Sequence, residues 1–207
     1  KNQIIIIGSG NAAMSAGIAA LENGSCVTIL EKAPEKLSGG NTKYTAGAMR
    51  FCFNGMEDLI PLLQDPNDPR LKNTEFGCYS ETQFANDLLS FNDGQPLSDE
   101  QKILVSQSYD AIKWLASHNI KFEPIFDRQS FKKNGKHVFW GGLALSAANE
   151  GIGLFEQERD AFLSLGGELL YEKEVTSLSY AEGQVDGVHV GKEYYAADAV
   201  ILACGGF

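Results

Sequence analysis

The residues best suited to chemistry lie within the first 31 positions. An isoleucine run, Ile4-Ile5-Ile6-Ile7, breaks into Gly8-Ser9-Gly10-Asn11-Ala12-Ala13, and Glu31 closes the next apolar run, Val27-Thr28-Ile29-Leu30. Gly8 permits a sharp turn out of a strand, and Gly10 lets a pyrophosphate approach the backbone. Ala13 allows the following helix to lie close to that strand. The N–H groups at such a helix start face an anion, and the helix dipole favours it. A carboxylate roughly 20 residues further on accepts hydrogen bonds from ribose hydroxyls. In this order and spacing, the pattern predicts a dinucleotide site.

These residues need a β-α-β unit to hold them. Residues 3–7 read as a buried parallel strand, 11–23 as a helix with a small-residue surface, and 26–31 as a second strand. Residues 37–55 are rich in Gly, Asn, Thr and Ala but interleaved with Tyr44, Met49, Phe51 and Phe53, which predicts an ordered loop laid against a ligand. Ser80-Glu81-Thr82-Gln83 and Ser98-Asp99-Glu100-Gln101 are capping boxes. The first opens a helix with Phe84, Leu88 and Phe91 inward; the second opens one with Leu104, Val105, Ala111, Ile112 and Leu115 inward, ending at His118. Residues 121–142 read as irregular and aromatic-rich. Gly151 to Leu165 reads as a helix stopped by Gly166-Gly167, and 168–171 as a third parallel strand. Three short strands, 174–180, 184–190 and 193–196, predict an antiparallel meander, and residues 199–203 a last buried parallel strand.

The chain has 207 residues and a formal net charge of −10. That balance argues against nucleic acid and against an anionic membrane surface. A phosphate-bearing ligand must then be held by local dipoles. None of the four cysteines, Cys26, Cys52, Cys78 and Cys204, forms a C-x-x-C pair, and no histidine sits at ligand spacing, so neither a metal site nor a disulfide framework is expected. Cys26 and Cys204, in or beside apolar runs, read as small hydrophobes. No signal peptide or membrane span is visible, and a reducing, cytoplasmic location is the expectation. The chain opens on Lys1 and stops at Cys204-Gly205-Gly206-Phe207, which reads as the N-terminal portion of a longer protein.

The Gly39-Gly40-Asn41-Thr42 loop after the acid, and the meander feeding Val200-Ile201-Leu202-Ala203-Cys204-Gly205-Gly206-Phe207, resemble the fumarate reductase/succinate dehydrogenase flavoprotein superfamily. The stretch from Gly39 to Phe53 and the segment Tyr79 to Leu88 are most similar to tricarballylate dehydrogenase-like flavoproteins. The resemblance implies an α/β fold: a Rossmann-like, glutathione-reductase-type FAD-binding domain with a parallel sheet, a small antiparallel meander and a helical insertion. Residues 1–50 would form the β-α-β unit and flavin loop, 56–150 a mainly helical insertion, and 151–207 the remaining strands.

By position, Gly8, Gly10, Ala12 and Ala13 would cradle the pyrophosphate, Glu31 would bind the adenosine ribose and Lys32 would flank it. Gly39, Gly40, Asn41 and Thr42 would follow the phosphates toward the flavin, and Thr45, Ala46, Gly47 and Ala48 would lie along the isoalloxazine. Val175, on the first meander strand, would meet the adenine, backed by Ala203 and Gly205. Members that attach FAD covalently do so through a histidine near Asn41–Tyr44; here there is none, which implies non-covalent FAD.

The implied activity is FAD-dependent oxidoreduction, with hydride passing between flavin and a small di- or tricarboxylate, and an electron-transfer partner of unknown identity. The capping domain that would hold the substrate lies outside residues 1–207, so no catalytic residue is assigned. Two other readings stay open. One is a nucleotide-binding fragment without turnover. The other is an NAD-dependent dehydrogenase domain, which would need no Gly39–Thr42 loop and would call for a second domain that the pattern does not mark. Arg50, Arg128 and His137 could meet an anionic substrate or serve surface pairing, and Tyr44 could stack near the flavin or pack in the core.

Overall fold

The structure, a computed structural model, describes residues 1–206; Phe207, the last residue of the closing motif, lies outside them. The described chain divides into two compact units, Lys1–Thr45 with Gly151 onward, and Ala46–Glu150.

The first unit opens with β1 (Gln3–Ile7), α1 (Asn11–Glu22) and β2 (Cys26–Leu30). β-branched residues keep β1 and β2 extended, while Ala13 and Gly17 let α1 lie close to its neighbours, Gly17 so tightly that an added Cβ would stand 2.8 Å from the Phe162 ring. After β2 the chain makes two 3-10 turns, Glu35–Leu37 and Gly40–Tyr44.

The second unit runs through β3 (Ala48–Met49), α2 (Met56–Leu59), β4 (Thr74–Glu75), α3 (Glu81–Leu89), α4 (Asp99–Ser117), β5 (Phe122–Pro124), α5 (Phe126–Gln129), β6 (Ser130–Lys133), β7 (Lys136–Phe139) and β8 (Leu145–Ala147). Both capping boxes close as expected: Ser80 Oγ accepts from Gln83 N and Ser98 Oγ from Gln101 N, each with the reciprocal glutamine bond. The unit starts ten residues before the expected position 56 and is less helical than expected. The 121–142 stretch, expected to be irregular, supplies β5 and the hairpin β6–β7, and two three-stranded sheets form, β3-β8-β5 and β4-β7-β6. The turn Asn134-Gly135, both at positive φ, joins that hairpin. Three expected inward residues face out. Phe91 lies beyond the end of α3 and is 85% exposed, while Leu104 and Ala111 fall outside the stripe Val105, Ser108, Ile112 and Leu115 that α4 buries.

The chain re-enters the first unit with α6 (Glu150–Ser164), then β9 (Glu168–Leu170), β10 (Ser177–Ala181), β11 (Gln184–Val190), β12 (Glu193–Ala196) and β13 (Ala199–Leu202). The parallel sheet has the order β13-β1-β2-β9, with Ile5 opposite Val200 and Thr28 on its other flank. Val188 of the meander β10-β11-β12, together with Ala197 just after β12, packs with Ile5 and Leu30 of that sheet. β13 is an edge strand and half-exposed rather than buried. The meander's first strand begins at Ser177, so Val175 precedes it. Cys26 and Cys204 are exposed, not packed as small hydrophobes, because each lies at the end of its run.

Candidate functional site

At the carboxyl end of the parallel strands, two turns face each other. Gly8 leaves β1 at φ +97°, its N–H donating to Leu30 O at 2.9 Å. A Cβ there would stand 2.5 Å from Ala203 O, so only glycine fits between β1 and the exit of β13. Gly10 caps α1 with no side-chain hydrogen bond, which leaves the helix start to backbone donors. Asn11 N donates to Thr42 Oγ1 at 2.9 Å, tying the helix start to the Gly40–Tyr44 turn.

These turns bound a crevice of about 740 Å³. Of the sequence-predicted residues, Gly8, Gly10, Ala12, Glu31, Lys32, Gly40, Asn41, Thr42, Val175, Ala203 and Gly205 line it. Ala13 is buried beneath the helix start, and Gly39 is turned against the Phe155 ring, 2.9 Å from where its Cβ would be. Thr45 does not line the crevice; its carbonyl accepts from Gly151 N at 3.1 Å. Ala46, Gly47 and Ala48 belong to the second unit, where Ala48 pairs with Ser146 of β8 and Gly47 O accepts from Ala147 N at 2.9 Å.

Glu31 is 6% exposed, and its carboxylate is held from two sides. Oε1 accepts from Ala33 N at 2.8 Å, and Oε2 accepts a short hydrogen bond from Ser9 Oγ. Ser9, 1% exposed, also accepts from Gly39 N at 3.0 Å, so one hydroxyl joins the glycine turn, the acid and the next loop. The G-x-G pattern treats the Ser9 position as free, which is why sequence reasoning missed it. Lys173 and Glu174 also line the crevice, and Lys173 is paired with Glu193 at 2.7 Å.

A second acid went unmarked. Glu158 on α6 is fully buried; Oε1 accepts from Ser15 Oγ at 3.2 Å, and Oε2 has no hydrogen-bond partner among the described residues. Burial pushes its pKa up to about 8, offset only in part by the Ser15 hydroxyl. Its position was legible, since it falls on the same helical stripe as Leu154, Phe155 and Phe162.

The other candidates are engaged elsewhere. Arg50 pairs with Asp87 at 3.1 Å and donates to Tyr79 Oη at 3.0 Å; Arg128 pairs with Glu150 at 2.6 Å. His137 packs edge-on against Phe126, and Tyr44 is 76% exposed. No metal-binding group of His, Cys, Asp and Glu occurs among the described residues, and no helix there is long and apolar enough to cross a membrane.

The crevice suits the adenosine diphosphate part of FAD: an uncapped helix start, glycines where a Cβ would intrude, and a preoriented buried carboxylate. Relatives point the same way. A fumarate reductase (cytochrome) of Shewanella frigidimarina is 27% identical over 211 residues, covering 99% of this chain and 33% of its own length. The chain thus spans about a third of the length of the curated relatives it matches. The open conformation of a flavocytochrome c3 fumarate reductase superposes at TM-score 0.68 with 25% identity, over 100% of this chain and 34% of that one. A 3-ketosteroid-Δ4-(5α)-dehydrogenase from Rhodococcus jostii RHA1 shares the fold at TM-score 0.70 with 19% identity, over 100% of this chain and 47% of that one. Residues 3–207 match the FAD binding domain family, and the chain belongs to it, with FAD as its cofactor.

Proposed function

We propose that FAD binds non-covalently with its diphosphate at the start of α1 and its adenosine ribose on Glu31, in an oxidoreductase acting on a small di- or tricarboxylate. The observation that carries this reading is the doubly anchored Glu31 carboxylate at the edge of the glycine-lined crevice. Gly8, Gly10 and Ala12 keep the backbone open to the diphosphate, and Gly40, Asn41 and Thr42 face it from the neighbouring turn. Val175, Ala203 and Gly205 close the adenine end. Lys32 brings a positive charge to the crevice of a strongly acidic chain, while Lys173 there is already paired with Glu193.

Bound FAD would supply two-electron redox chemistry; the residues here would hold and orient it. The carboxylate substrate class is supported by the fumarate reductase names of the relatives and by the resemblance of Gly39–Phe53, and it extends to a tricarballylate-type substrate on the latter alone.

The binding test is direct. FAD added to the purified chain is expected to bind, with its fluorescence quenched, and Glu31→Ala to weaken binding by about 1–3 kcal/mol. Unchanged affinity in that variant overturns the ribose assignment. Binding of a nicotinamide dinucleotide without FAD overturns the cofactor reading. The substrate class is read by which compound with an activated C=C bond, an unsaturated dicarboxylate, an unsaturated tricarboxylate or an enone ketosteroid, accepts hydride and reoxidises the chemically reduced flavoprotein, or which saturated counterpart reduces the oxidised one.

A further inference from the structure

We propose that Glu158 is a positioning acid for the diphosphate cradle: neutral, it fixes the first turns of α1 through Ser15, and ionised, it loosens the hold on an anion. The inference rests on the dinucleotide reading above and goes beyond it, because Glu158 does not line the crevice.

The connection is a short relay. Ser15 Oγ lies 3.2 Å from Glu158 Oε1 and 3.4 Å from Asn11 Oδ1. Asn11 begins α1, lines the crevice, and donates its backbone N–H to Thr42 Oγ1 at 2.9 Å. Ser15 has one hydroxyl proton to give. When Glu158 is protonated, the acid O–H donates to Ser15 Oγ, and Ser15 donates to Asn11 Oδ1. When Glu158 is ionised, it accepts the Ser15 proton, and Asn11 Oδ1 loses its donor. The unpartnered oxygen, Glu158 Oε2, makes the ionised form costly, because no second donor among the described residues meets it.

Charge acts in the same direction. An ionised Glu158 beside α1 competes with a bound diphosphate for the positive end of that helix, and repels it. No charged neighbour cancels this. On α6 the nearest ionisable groups are Glu156, Arg159 and Asp160, and Arg159 is paired with Asp160 at 2.9 Å. On α1 the one ionisable side chain is Glu22, at the far end. In the parallel sheet, β1 carries none, β2 carries Cys26, and β9 carries Glu168, whose Oε2 accepts from Thr28 Oγ1 at 3.1 Å. In the Gly40–Tyr44 turn, Lys43 donates to Lys36 O and sits over the Phe155 ring. None of these groups is among the causes of the raised pKa, which are burial and Ser15.

The experiment measures FAD affinity of the whole chain across the pH range centred on about 8 for wild type, Glu158→Gln and Ser15→Ala. Wild type is expected to lose about tenfold in affinity as pH rises through that range, the scale of one unit charge acting over a helical turn or two. Glu158→Gln keeps a neutral side chain of the same shape, and is expected to bind as tightly as neutral wild type with a flat profile. Ser15→Ala breaks the relay and is expected to blunt the response. A flat wild-type profile, or a Glu158→Gln profile that follows wild type, overturns the proposal. If Glu158→Gln does not fold, a Ser15→Ala profile as steep as wild type overturns it. Binding that is equally tight at both ends of the range sinks this inference alone, whereas no FAD binding at any pH sinks the dinucleotide reading with it.

Discussion

Ser9 serves three parts of the site at once, donating to Glu31 and accepting from Gly39 N at 3.0 Å in a position with no water access. Ser9→Ala leaves the Gly39 N–H without its acceptor and Glu31 with only the Ala33 N–H, so FAD affinity should fall by about 1–3 kcal/mol, measured by fluorescence titration. Glu158 sets a pH dependence of a different kind, in stability. Its folded pKa is about 8 against an ordinary 4.5, so between those values the unfolded chain has lost a proton that the folded chain keeps. Stability contributed by the neutral acid is therefore fully present below about 4.5 and declines as pH rises to about 8, by at most about 1.4 kcal/mol per unit. Glu158→Gln should remove that slope in urea unfolding midpoints taken across the window. Asp68 and Asp99, held below the usual carboxylate range by hydrogen bonds from Arg70 and Lys102, act at lower pH and with the opposite sign.

At the scale of elements, local signals were reliable where one interaction decided the outcome. The capping boxes at Ser80 and Ser98 start helices at the expected residues because each cap satisfies its own orphan donors. Ser98→Ala should cost about 1 kcal/mol in thermal unfolding without changing FAD binding. Gly8→Ala is expected to hit both folding and binding, because its Cβ would meet Ala203 O at 2.5 Å. The β-α-β start, β9, the α6 span and the meander were legible from period and turn residues. The strands of 121–142 were not, since β5 to β7 run three or four residues each, and β5 and β7 draw partners from β8 and β4; only the Asn134-Gly135 turn of the β6–β7 hairpin was a local signal. Phe91 shows the converse error: helical spacing placed it inward, but α3 ends at Leu89. In the site, glycines and Glu31 were visible by type and spacing, while Ser9 and Ser15 depend on contacts that spacing does not encode.

For the molecule as a whole, net charge and ligand charge share a sign. A chain of −10 meets an anionic cofactor, and the attraction comes from an oriented helix start and from Lys32 at the crevice. Raising ionic strength screens the long-range repulsion more than those short-range contacts. FAD association should therefore hold steady or quicken with added salt, in contrast to a site held by a basic surface, and stopped-flow mixing at low and physiological salt measures this.

The pairing of β1 with β13 joins Ile4 to Ala199, and Gln3 N donates to Asp198 Oδ2 across 195 residues. A ribosome delivers the first partner long before the second, by roughly 10–40 s at ordinary translation speeds of about 5–20 residues per second. Throughout that interval the flank of β1 that awaits β13 is an open edge able to recruit a strand from another nascent copy. Cofactor capture then has to await β13, because the crevice is lined on that side by Leu202 and Ala203 at its exit.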